Sequence, residues 1–117
     1  MSPTNSWRSI CPDARLPVDR GVAALVDGEQ VAVFRTSDAQ LHAVSNLDPF
    51  SGAMVMSRGI VGSRGDRPTI ASPIFKQVFD LETGRCLDDA EMALEVYLVR
   101  VQDGIVQVAL EAQALSA

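Results

Sequence analysis

Two short segments concentrate the residues whose types and spacing could do chemistry. The first is Asn46-Leu47-Asp48-Pro49-Phe50-Ser51-Gly52-Ala53, and the second runs from Ala71-Ser72-Pro73-Ile74-Phe75-Lys76-Gln77 to Gly84. Each has a small or acidic residue, then proline, then an apolar residue one or two places on. Proline fixes φ and restricts the residue before it, so both loops leave their strands at a defined angle. Asp48 offers a carboxylate as acid or base, although a loop carboxylate more often accepts hydrogen bonds from nearby backbone amides.

Other reactive side chains are sparse. His42 is the only histidine and sits in Leu41-His42-Ala43-Val44 without partners of matched type in sequence, which predicts a structural or surface role. Cys11 and Cys86 are far apart and read as free thiols; Arg85 beside Cys86 is slight support for a reactive one. Gly59, Gly62 and Gly65 lack the following Gly-Lys-Ser/Thr of a phosphate loop. Arg58, Arg64, Arg67 and Lys76 lie around the two loops in sequence, as either a solvated fringe or a basic rim for an acidic partner.

The elements that position these loops read as strands. A chain of 117 residues with 47% hydrophobic content predicts one folded domain over 1–117, with a core of about 7–110 and polar tails. A net charge of −5 argues against nucleic acid or an anionic membrane as the main partner. No apolar run reaches membrane-span length and the first residues are polar, so the expected location is cytoplasmic.

Trp7–Ile10 predicts an edge strand, with Trp7 as a core anchor. Val22–Val26 and Gln30–Arg35 flank Asp27-Gly28, a strong hairpin signal, and Leu41–Ser45 completes a meander whose imperfect alternation suggests burial on both faces. Met54–Met56, Gly59–Val61, Thr69–Ala71 and Gln77–Leu81 predict short strands. Glu95–Val101 and Ile105–Leu110 predict a last hairpin about Asp103-Gly104, and Glu111–Ala117 a tail with frayed helix. The sum is an all-β fold, a small sandwich or barrel.

The loops resemble those of Rieske-type [2Fe–2S] domains, which carry Cys-Pro-His-x-Gly and Cys-Pro-x-His-Gly followed by Phe-Asp-x-x-Thr-Gly. Asp48-Pro49-Phe50-Ser51-Gly52 aligns with the first motif, Ser72-Pro73-Ile74-Phe75-Lys76 with the second, and Phe79-Asp80-Leu81-Glu82-Thr83-Gly84 keeps the turn. The resemblance implies a Rieske-like fold with both proline loops at one end. The ligands are not kept: the cysteine positions hold Asp48 and Ser72, and the histidine positions hold Phe50 and Phe75. A Rieske centre needs two thiolates and two imidazoles, so no cluster, no other cofactor and no metal are expected in this chain. The two phenylalanines then either pack across the loops in place of the metal or project toward a partner; the usual burial of phenylalanine favours packing.

Several further phrases are similar to the small subunit of NAD(P)H-dependent assimilatory nitrite reductase: Gln30–Arg35, Asn46 with Asp48–Ser51, Ser57–Gly62, Ala71–Pro73 with Lys76-Gln77, and Phe79–Gly84 with Cys86. That resemblance implies a large-subunit partner with FAD, a [4Fe–4S] cluster and sirohaem, which reduces nitrite to ammonium. This chain would be a non-catalytic accessory subunit. The expected contact set is Asp48, Phe50, Ser51, Pro73, Ile74, Phe75, Lys76 and Gln77. The alternatives are a stand-alone module that uses the emptied cluster site as a pocket, or a [2Fe–2S] electron carrier, which the lost ligands oppose.

Overall fold

A computed structural model describes residues 7–112, all of it strands, turns and two 3₁₀ turns. The strands are β1 (Arg8–Pro12), β2 (Gly21–Val26), β3 (Glu29–Arg35), β4 (Leu41–Ser45), β5 (Ile60–Arg64), β6 (Arg67–Ala71), β7 (Val78–Asp80), β8 (Val96–Gln102) and β9 (Ile105–Ala112). They form a six-stranded sheet of order β1-β9-β8-β4-β3-β2 and a three-stranded sheet β5-β6-β7, antiparallel throughout.

The Asp27-Gly28 and Asp103-Gly104 pairs each adopt positive φ at both residues, as a tight hairpin with right-handed strand twist requires. The six-stranded sheet curls until β2 and β9 touch, and Arg8 Nε donates to Asp27 Oδ1 at 2.9 Å across its edges. Curling is one way to protect edge strands from unwanted pairing.

The uneven alternation of the meander has a direct cause: β3 feeds two cores. Ala32 and Phe34 point to a cluster with Val44, Met56, Ile70, Phe79, Leu81, Cys86 and Leu94, between the two sheets. Val31 and Val33 point the other way, to Leu16, Val26, Ala43, Tyr97, Val106 and Val108 inside the curled sheet. Successive strand residues face opposite sides, so a strand serving two cores loses its polar face.

Four expectations change. Trp7 is half-buried at the edge, with the Arg100 guanidinium 4.1 Å above its ring, and it belongs to neither core cluster. Met54–Met56 is not a strand: Met54 makes a single bridge to Leu47, and a 3₁₀ turn covers Met56–Arg58. The Met56 and Ser57 amides are already taken by the Asn46 carbonyl (3.0 Å) and side chain (2.7 Å), so neither is left for a ladder. Glu111 and Ala112 continue β9 rather than starting a helix; the remainder of the expected tail, 113–117, lies outside the described residues, as does the polar start before Trp7. Finally, Arg64 and Arg67 do not rim the proline loops. They pair across the β5–β6 turn, opposite Ala71, and face Asp88 and Asp80.

Candidate functional site

β4 delivers the first proline loop and β6 the second, one from each sheet. The base of the first loop is fixed by Asn46, which is 2% exposed. Its side-chain amide donates to Gln30 Oε1 and to the Met54 carbonyl at 3.1 and 3.2 Å. A buried carboxamide with this many partners sets the loop's exit angle, because any other placement leaves polar groups unpaired. Its importance is not evident in sequence, where an asparagine before a turn is ordinary.

The two loops share a hydrogen-bond pattern. The Asp48 amide donates to the Ala53 carbonyl (2.8 Å) and the Ser72 amide to the Gln77 carbonyl (3.0 Å), each five residues on. The Gly52 amide returns to the Asp48 carbonyl (2.8 Å) and the Lys76 amide to the Ser72 carbonyl (3.1 Å), each four residues back. The Phe50 amide donates to Asp48 Oδ1 (2.9 Å) and the Ile74 amide to Ser72 Oγ (3.2 Å). A short oxygen-bearing side chain before proline therefore closes both loops, accepting the amide two residues on.

Asp48 and Ser72 also meet each other. The Ser72 hydroxyl donates to Asp48 Oδ2 at 2.6 Å, and the Ser51 hydroxyl donates to the same oxygen at 3.0 Å. Asp48 has 0% and Ser72 2% exposure. Burial pushes the Asp48 carboxyl pKa up, but the bonds from Ser72, the Phe50 amide and Ser51 outweigh it and hold the pKa below its ordinary value. Asp48 thus stays an anion inside the protein, and it is no proton donor at neutral pH.

This corrects two expectations. Asp48 has no surface to offer a partner, so it is no candidate for direct contact. The phenylalanines do not meet across the loops: Phe50 turns inward, its ring centroid 6.1 Å from that of Phe79 and tilted 52°, while Phe75 is 56% exposed. Phe50 sits two residues after its loop's anchor and Phe75 three, so equivalent loops direct them differently. Beside Phe75, Ile74 is 43% exposed; on the first loop Leu47 and Met54 are 37% and 47% exposed. Pro73 and Gln77 are half-buried, and Lys76 is exposed. Leu47 and Met54 were not among the residues expected from sequence at this surface; two apolar residues bracketing a polar loop are the signal for their exposure.

The donors present do not fit a [2Fe–2S] cluster. Two phenyl rings offer no lone pair, and the Asp48–Ser72 bond closes the gap that two thiolates would share. Among the described residues no group of three or more His, Cys, Asp or Glu side chains is gathered as a metal would need. Cys86 is buried in the inter-sheet core, and both cysteines are free thiols. His42 is 8% exposed and lines a cleft with Leu81, Glu82 and Val96; burial lowers its pKa, against the opposing pull of Glu82, Asp38 and Asp80. The kept turn after the second loop is organised by Asp80, 1% exposed, whose Oδ1 accepts from the Glu82 and Thr83 amides at 2.7 and 3.2 Å.

Comparison with known proteins agrees with the fold. A family profile described as Rieske-like [2Fe–2S] domain matches residues 6–109. The nitrite reductase (NADH) small subunit of Salmonella typhimurium is 41% identical over 104 residues, covering 88% of this chain and 96% of its own. A crystal structure from Mycobacterium tuberculosis, assigned as an NADH-dependent nitrite reductase small subunit, superposes with a TM-score of 0.87 at 53% identity, covering 91% of this chain and 96% of its own. The Klebsiella oxytoca nitrite reductase [NAD(P)H] large subunit contains a stretch 39% identical over 106 residues, which is 91% of this chain but 11% of that protein. With matches of this length and identity, the chain belongs to the Rieske-like domain family and, within it, to the small subunits of NAD(P)H-dependent nitrite reductase.

Proposed function

We propose that this chain is the non-redox accessory subunit of a cytoplasmic NAD(P)H-dependent nitrite reductase, and that it docks the end carrying its two proline loops on the large subunit. The observation that carries the reading is the Klebsiella oxytoca large subunit, which holds a stretch 39% identical to most of this chain within its own. Natural fusion keeps a domain permanently beside its partner, so a small subunit like the Salmonella typhimurium relative is best explained as reaching the same place by binding.

The large subunit would carry FAD, a [4Fe–4S] cluster and sirohaem and would perform the reduction of nitrite to ammonium. This chain contributes no electron-transfer step, because its former ligand positions are a hydrogen-bonded carboxylate, a hydroxyl and two phenyl rings. Its contact face would comprise Ser51, Pro73, Ile74, Phe75, Lys76 and Gln77, joined by Leu47 and Met54, with Asp48 as the clamp beneath and Phe50 packed inward on the core. Exposed aromatic and aliphatic residues on rigid, hydrogen-bonded loops make good anchors because little entropy is lost on docking. Among the described residues no helix is long and apolar enough to cross a membrane.

Affinity capture tests the reading. A tagged chain is expected to retain a sirohaem-containing large subunit from cells grown on nitrate or nitrite. Failure to associate with the purified large subunit would refute it.

A further inference from the structure

We propose that Lys76 is an electrostatic docking residue: its ammonium pairs with a carboxylate on the nitrite reductase large subunit, while Ile74 and Phe75 seat in an adjacent apolar depression. The inference rests on the partner reading above and adds the chemistry by which that partner is recognised.

The shared hydrogen-bond pattern of the two loops puts Lys76 in the slot that Gly52 fills in the first loop. Both residues are left-handed, with φ of 65° at Lys76 and 79° at Gly52. An L-residue with a long side chain is disfavoured there, and glycine is the natural occupant. Keeping a lysine at this position carries a conformational cost that glycine would avoid, and such local strain is retained chiefly at functional positions.

Three further observations give the lysine its role. Lys76 is the only lysine in the chain, and the chain carries a net charge of −5. The cation therefore stands at the loop tip of an otherwise acidic protein, and its natural complement is acidic. Among the described residues its ammonium has no ion-pair or hydrogen-bond partner, a state it shares with the side chains of Arg15, Arg20, Arg58 and Arg85, so its charge is free to meet a partner's; Arg8, Arg35, Arg64 and Arg67 each face an aspartate. Its neighbours Ile74 and Phe75 are 43% and 56% exposed, so charge and apolar surface form one patch. A charge at the edge of an apolar anchor governs on-rate, orientation and salt dependence of association.

The single lysine also makes the test specific. Full-length chain and purified, cofactor-loaded large subunit would be mixed and treated with a carbodiimide. This reagent activates a carboxylate, which the lysine amine attacks to form an amide with release of a urea. The expected product joins the Lys76 peptide to an Asp- or Glu-containing peptide of the large subunit. In parallel, K76Q is expected to raise Kd about tenfold at low salt with a much smaller change at high salt, and K76R to retain most of the affinity. Unchanged melting of K76Q excludes misfolding as the cause. Wild-type affinity for K76Q, with crosslinks that run only through this chain's carboxylates or other amines and none through Lys76, would overturn this inference and leave the subunit reading intact. No association of the wild-type chain would overturn both.

Discussion

The hydroxyl of Ser72 donates a 2.6 Å hydrogen bond to the carboxylate of Asp48, tying together two loops whose anchors are 24 residues apart. These are the two positions where a Rieske domain has its cysteines. A neutral donor and a buried anion now hold the loops where an iron with two thiolates would, and the same carboxylate also accepts from Ser51 and from the Phe50 amide. Removing either partner has different consequences. Ser72→Ala deletes the charge-assisted bond to Asp48 and the acceptor of the Ile74 amide, and is expected to cost about 1.5–3 kcal/mol. Asp48→Ala leaves several donors unpaired around a cavity and is expected to cost more, about 3–5 kcal/mol. Urea unfolding of the two variants checks the order; an equal or reversed ranking would show that the anion is not the organising group.

The acid limb of stability should carry two signatures. Asp48 has a folded pKa below its ordinary 3.8, so its contribution is fully present above that value and is lost as pH falls through the folded pKa. His42 has a folded pKa below its ordinary 6.5; the unfolded chain takes up the proton first, so stability falls as pH drops below 6.5 toward the folded pKa. Unfolding free energies measured from pH 8 to 3 should therefore decline in two steps. His42→Leu should flatten the upper step and Asp48→Asn the lower one.

The two phenylalanines should separate stability from binding. Phe50 packs on the inter-sheet core, so Phe50→Ala is expected to destabilise by about 1–3 kcal/mol. Phe75 is mostly exposed, so Phe75→Ala should shift stability by no more than about 0.5 kcal/mol. It should nonetheless weaken association with the large subunit. Thermal melts paired with binding isotherms distinguish the two; a large stability loss for Phe75→Ala would place its ring in the core instead.

Lys76→Gly should stabilise the isolated chain. Relief of a left-handed lysine is worth about 1 kcal/mol, reduced by the extra unfolded-state freedom of glycine. A melting temperature a few degrees higher, together with weaker association, is the expected pair of outcomes. No gain in stability would mean that the loop holds lysine without strain.

Iron should be near zero in the purified chain, and its visible spectrum should lack the bands of a [2Fe–2S] centre. Anaerobic reconstitution with iron and sulfide is expected to leave both unchanged, since the four ligand positions hold Asp48, Phe50, Ser72 and Phe75. A stable chromophore after reconstitution would require ligands from elsewhere in the chain.

Much of the fold is legible in the sequence because its signals are local. The Asp-Gly turns, the β-branched runs and the Phe79–Gly84 turn place most strands within a residue or two of where they lie. The ligand replacements are legible for the same reason, since the chemistry of a phenyl ring does not depend on its surroundings. The strand misread at Met54–Met56 depended on Asn46, whose side chain takes an amide 11 residues away. Arg64 and Arg67 looked close to the loops only because sequence distance ignores the hairpin that carries them to its far end.

The residue types alone determined that this protein is a β-domain on a Rieske-like plan and that its loops hold no thiolate–imidazole set. Tertiary structure alone decided which of the substituted residues face inward. Side-chain direction in an irregular loop follows from hydrogen bonds made across the fold, and those bonds put Asp48 and Ser72 inside, turned Phe50 onto Phe79, and left Phe75 and Lys76 at the surface.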